Sequence, residues 1–183
     1  EEPESKIILT EADIISIVGP RKKLVNELKR RGLLPLTTKS KKLPILAKLI
    51  GFVTGDGWIG KYYSKKRNQD VWSMRIIGEY EDLIEVRGDI KELGYISNSI
   101  HSKEYHSEVV ERSGKKRKIE GISTQFMVNS QSLSVLLHAL GVPKGNKSRT
   151  VVRVPLWIKQ SPLWLKRLYL AGLFGAELTR PCQ

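Results

Sequence analysis

The chain has 183 residues, with 32 Lys and Arg against 19 Asp and Glu, and a formal net charge of +13 at pH 7. That length allows one sizeable core, or a small domain with an appendage, and the charge is the electrostatic footprint of a phosphate binder. No apolar run approaches the roughly 20 residues of a membrane span, no signal peptide is visible at the charged start, and the single Cys182 excludes a disulfide framework and a cysteine-based zinc site. A reducing cytoplasm and no membrane partner are expected.

Residues 1–43 read as an N-terminal helical accessory segment. Thr10 can cap a helix over 11–18, which Gly19-Pro20 breaks. A second helix over 21–31 puts Leu24, Val25 and Leu28 on one face and Lys22, Lys23, Lys29 and Arg30 on the others. The pair fits a helix-turn-helix or, more simply, a linker pair. Pro44 then suits the first turn of an apolar helix.

From 58 to 160 the pattern is strand, strand, helix, strand, strand, helix. Residues 58–64 and 71–78 form a hairpin around the basic turn Lys65, Lys66, Arg67. A helix over 79–93 ends at Gly94. Residues 95–105 and 119–129 form a second hairpin whose long tip carries Lys115, Lys116, Arg117 and Lys118. Ser130 caps a helix to Leu140, which Gly141 ends. Strand alternation puts Trp72, Met74 and Ile76 on one face, with Ser73 and Arg75 on the other. Likewise Ile122, Phe126 and Val128 oppose Ser123 and Gln125, and Ser97, Ser99, His101, Lys103 and Tyr105 form the polar side of a third strand. Such faces can hydrogen-bond base edges from a β-ribbon in the major groove of double-stranded DNA. Lys61 and the basic tips would contact phosphates. Alternation alone says only that one sheet face is wet.

Two segments repeat one nine-residue pattern. Leu49-Ile50-Gly51-Phe52-Val53-Thr54-Gly55-Asp56-Gly57 returns as Leu170-Ala171-Gly172-Leu173-Phe174-Gly175-Ala176-Glu177-Leu178, and the two acids lie 121 positions apart. Gly51 and Gly55 in the first copy, and Gly172 and Ala176 in the second, recur every four residues, so each helix offers a small-residue face on which two backbones can meet. A carboxylate at a helix C-terminus is unfavourable unless a cation sits beside it. Two such ends suggest a shared cation site.

These copies resemble the LAGLIDADG homing endonucleases of introns and inteins, over about residues 44–178. The match holds at Leu49, Gly51, Asp56 and Gly57, and through Glu177 in the second copy; Leu178 departs from the usual glycine. The resemblance implies an α+β fold, an α-β-β-α-β-β-α saddle over 44–161, with a second motif helix in 162–183 packed on the first. It also implies Mg²⁺-dependent (or Mn²⁺-dependent) cleavage of double-stranded DNA, with Asp56 and Glu177 as metal ligands and catalytic acids. Lys147 is the expected catalytic lysine, with Lys144 and Arg153 as rivals and a plain phosphate contact as the other role. The wording also resembles insertions in tRNA-splicing RNA ligases. Because only six residues follow Glu177, the rest of a second repeat is expected to be missing, the short chain to cleave poorly, and the exposed second helix to offer a homodimer surface. The alternative is a non-cleaving DNA- or RNA-binding relative, a maturase or a transcription regulator.

Overall fold

The computed structural model describes residues 5–110, 113–147 and 150–177, except for the side chains of Ala176 and Glu177. Two short helices come first, α1 (Glu11–Val18) and α2 (Lys22–Arg30), flanked by a small antiparallel pair, β1 (Ile7–Leu9) and β2 (Leu36–Thr37). Then follow α3 (Leu43–Asp56), β3 (Gly57–Ser64), β4 (Gln69–Ile77), α4 (Tyr80–Glu92), β5 (His101–Val110), β6 (Lys116–Val128) and α5 (Gln131–Ala139). The short α6 (Leu156–Gln160) leads into α7 (Leu163–Glu177). The architecture is α+β. Strands β3 to β6 form one antiparallel sheet in the order β3-β4-β6-β5.

One sheet face is apolar because its strands alternate. Ile59, Trp72, Met74, Ile76, Phe126 and Val128 enter the same core as Leu46, Ile50 and Val53 of α3, Leu83, Val86 and Ile90 of α4, and Leu133, Leu136 and Leu137 of α5. The helices thus cover one face, and the other is left open. The N-terminal helices are not an outlying linker: Ile14, Leu24, Val25 and Leu28 join this core. Beside α3 lies α7, which buries Leu165 and Tyr169 but leaves Leu170 39% and Phe174 49% exposed, the face on which the sequence places self-association.

Thr10 does cap α1, through a reversed bond. Its backbone N–H and its hydroxyl both donate to the Asp13 carboxylate, each at 2.7 Å. The hydroxyl bond and then the amide bond hold Asp13 below its ordinary pKa of 3.8. A depressed carboxylate stabilises the fold above its unfolded pKa and loses that contribution as pH falls through the folded value. The Thr10 amide resonance is therefore expected to move only below about pH 3.8, and Asp13→Asn to remove that acid limb.

Candidate nucleic-acid interface

The repeated helices meet at the glycines. A Cβ built on Gly51 would lie 2.0 Å from the carbonyl oxygen of Tyr169, and one on Gly172 2.1 Å from that of Lys48. The two backbones are in contact at this register. Gly55 continues α3 one turn on, whereas the side chain of Ala176 lies outside the described residues.

Lys147 reaches the end of α3. Its Nζ donates to the carbonyls of Val53 at 3.2 Å and Thr54 at 2.9 Å, and also to that of Gly55. The carbonyls of Thr54 and Gly55 are last-turn groups that the helix cannot satisfy internally, whereas that of Val53 also accepts the Gly57 N–H. An ammonium therefore stands at the carbonyl end of the helix that closes with Asp56. Asp56 closes α3 partly exposed, and the side chain of Glu177 is outside the described residues. The described residues thus supply one of the two carboxylates that Mg²⁺ or Mn²⁺ was expected to take.

The open sheet face has a one-signed charge. Cross-strand pairs Trp58–Arg75, Arg75–Met127, His101–Gln125, Lys103–Ser123, Tyr105–Gly121 and Val109–Arg117 place these residues on it together. The acids of strands β3 to β6, Asp70, Glu104, Glu108 and Glu120, all have the opposite parity. Arg75, Lys103 and Arg117 therefore share a face that carries no strand carboxylate among the described residues. Two aromatic rings lie on this face over glycines. A Cβ on Gly60 would meet the Trp58 indole at 1.7 Å, and one on Gly121 would meet the Tyr105 ring within 2.9 Å. The Arg75 guanidinium stands 5.7 Å from the Trp58 ring centroid, which limits its freedom. The sequence reading missed these ring supports, although Trp58, two residues before the strand glycine Gly60, was a readable sign of the first.

Several expected contacts are placed elsewhere. Ser73, opposite Gly60, is only 5% exposed and cannot present its hydroxyl to a groove. Lys61 has the helix-side parity and pairs with Asp70 at 2.7 Å. Lys144 holds its ammonium 5.3 Å from the Trp72 ring, while its segment runs along the β3 edge through a parallel bridge to Ile59. Ser97 and Ser99 precede β5, and Ser97 accepts a bond from Arg87 at 3.0 Å. The second tip is shorter than expected: Lys116, Arg117 and Lys118 belong to β6. Lys116 and Lys118 share the acidic side, where Lys116 pairs with Glu108 at 3.3 Å. Lys115 lies in the turn, and Lys65, Lys66 and Arg67 lie exposed in the β3–β4 turn, as expected. Ser123 and Gln125 have the open-face parity, and Gln125 lies 3.4 Å from the His101 ring.

No family model matches the chain. A DNA-directed RNA polymerase subunit Rpo1N of Methanocaldococcus jannaschii is 37% identical over 98% of this chain, which is 13% of that protein. A tRNA-splicing ligase RtcB of Pyrococcus furiosus is 34% identical over 96% of the chain, which is 17% of the ligase. A replication factor C small subunit of Methanocaldococcus jannaschii is 31% identical over 87% of the chain, and the match is 8% of its length. The chain thus spans less than a fifth of these relatives.

These names correct the functional expectation. They are those of an RNA polymerase subunit, tRNA-splicing ligases and a replication factor subunit, not of homing endonucleases or inteins. Membership of the LAGLIDADG family, DNA cleavage and the maturase or regulator alternative are accordingly not assigned. The tRNA-splicing ligases, whose insertions the wording resembles, are among the relatives. No helix among the described residues is long and apolar enough to cross a membrane.

Proposed function

We propose that this chain is a nucleic-acid-binding module, carried within longer proteins and working in the cytoplasm, that lays the open face of its sheet against duplex DNA. The observation that carries the proposal is the segregation of charge: Arg75, Lys103 and Arg117 on one face, and all four strand acids on the other. A β-ribbon fits the major groove, and arginine there can pair with guanine. His101 and Gln125 add hydrogen-bonding groups beside it. Lys65, Lys66 and Arg67 at one turn and Lys115 at the other would hold the phosphates and fix register. The names of the relatives support nucleic acid as the partner. Since three differently named proteins share this segment, the activity in any one name is not carried over to it.

Fluorescence anisotropy with a labelled duplex tests the proposal. Log affinity is expected to fall with log salt by about 0.9 per phosphate neutralised. Arg117→Ala should flatten that slope more than Lys116→Ala or Lys118→Ala, which act on the acidic side. Arg75→Ala should relax preference at one position by about 1–3 kcal/mol. Salt-independent binding, or a single strand bound as tightly as its duplex, would overturn the groove reading.

A further inference from the structure

Helix α2 holds positive charge that the open sheet face does not use. Arg21, at the start of α2, makes no side-chain cap, and the first turn carries Lys22 and Lys23 but no acid. Cations at that end oppose the helix dipole, which favours anions there. A cleft of about 520 Å³ opens beside them, where α2, α5 and β4 all begin. Arg21, Lys22, Lys23, Gln69, Gln131 and Ser132 line it. Glu27, the acid on its wall, is held by Arg31 at 3.0 and 3.1 Å.

Arg21 fastens this corner. Its guanidinium donates to the Asp70 carbonyl at 2.9 Å and to the Gln131 side-chain oxygen at 3.1 Å. That ties α2 to the start of β4, directly after the turn that carries Lys65, Lys66 and Arg67. The exposed Lys22 and Lys23 are thereby held at the same end of the sheet as those three turn cations. We propose that this cleft is a second phosphate-backbone site, taking the nucleic-acid strand where it runs off the β3–β4 end of the sheet. The inference rests on the proposed duplex binding and gives α2 a part in it. A polyanion suits the site better than a single small anion, because the cations continue from the cleft on to the turn.

The test uses the full chain with two duplexes, one just covering the sheet and one extended past the β3–β4 end. Lys22→Glu with Lys23→Glu should lower the salt slope on the long duplex by about 1.8, two contacts at 0.9 each, and leave the short duplex unchanged. Lys22→Gln with Lys23→Gln should act in the same direction. The glutamate pair should also raise the thermal midpoint at low salt, since acids suit the first turn. A loss of binding through misfolding would lower it. An unchanged slope on the long duplex, with the parent chain binding normally, would overturn the cleft alone. If the parent binds neither duplex, the proposed function fails, and the cleft site with it.

Discussion

Gly51→Ala and Gly172→Ala are each expected to destabilise the chain by about 3 kcal/mol, at the upper end of ordinary overpacking. The new methyl would meet backbone in both cases. At Gly51 it would lie 2.0 Å from the Tyr169 oxygen and 2.9 Å from the Leu173 nitrogen; at Gly172 it would lie 2.1 Å from the Lys48 oxygen and 3.0 Å from the Phe52 nitrogen. A side chain can rotate away from such a contact, but a helix backbone cannot, so α3 and α7 would have to move apart. In a chain of this size each kcal/mol shifts the melting temperature by roughly 2–4 °C, so a fall of about 6–12 °C is expected. The two substitutions break one contact, so the double variant should cost less than their sum. Gly88→Ala in α4 is the control, because nothing lies within 4 Å of its new Cβ. It should gain about 0.5–1 kcal/mol from helix propensity. Melting of Gly51→Ala within about 1 °C of the parent would mean that the two backbones do not touch.

The same pair shows what the sequence could reveal. The glycine spacing marks a close helix contact because only a missing side chain permits it. The α1 boundaries are also legible, since Thr10 and Gly19-Pro20 mark both ends and the helix runs from Glu11 to Val18. Alternation in β4 correctly opposes Arg75 to Trp72 and Met74, because one sheet face is buried. Legibility fails where a residue's place depends on distant partners. Residues 95–100 look like strand, yet the Tyr95 hydroxyl lies 3.0 Å from Ser132, the Asn98 amide donates to Met127, and β5 begins only at His101. That later start moves the whole hairpin outward. Its register, ending at Val110–Lys116, is what turns Lys116 and Lys118 toward the acids. Nor could spacing say that Lys147 would cap a helix end more than 90 residues earlier in the chain.

Lys147→Met is expected to cost about 1.5–3 kcal/mol, the range for hydrogen bonds made by a charged group. The side chain is half-buried, and its ammonium serves the Thr54 and Gly55 carbonyls that the helix leaves open. Methionine keeps the length of the stem but removes both the donors and the charge. Asp56 then supplies a second arm. A carboxylate at a helix C-terminus is unfavourable by about 0.3–1 kcal/mol when no cation answers it. Asp56→Asn should therefore recover that much in the Lys147→Met background and less in the parent. This non-additivity in urea unfolding is the sign of a shared helix-end role. A phosphate-binding lysine behaves in the opposite way. Its loss would leave unfolding unchanged, lower duplex affinity and reduce the salt slope by about 0.9. Stability intact with binding lost would take Lys147 off the helix end and put it on the nucleic acid.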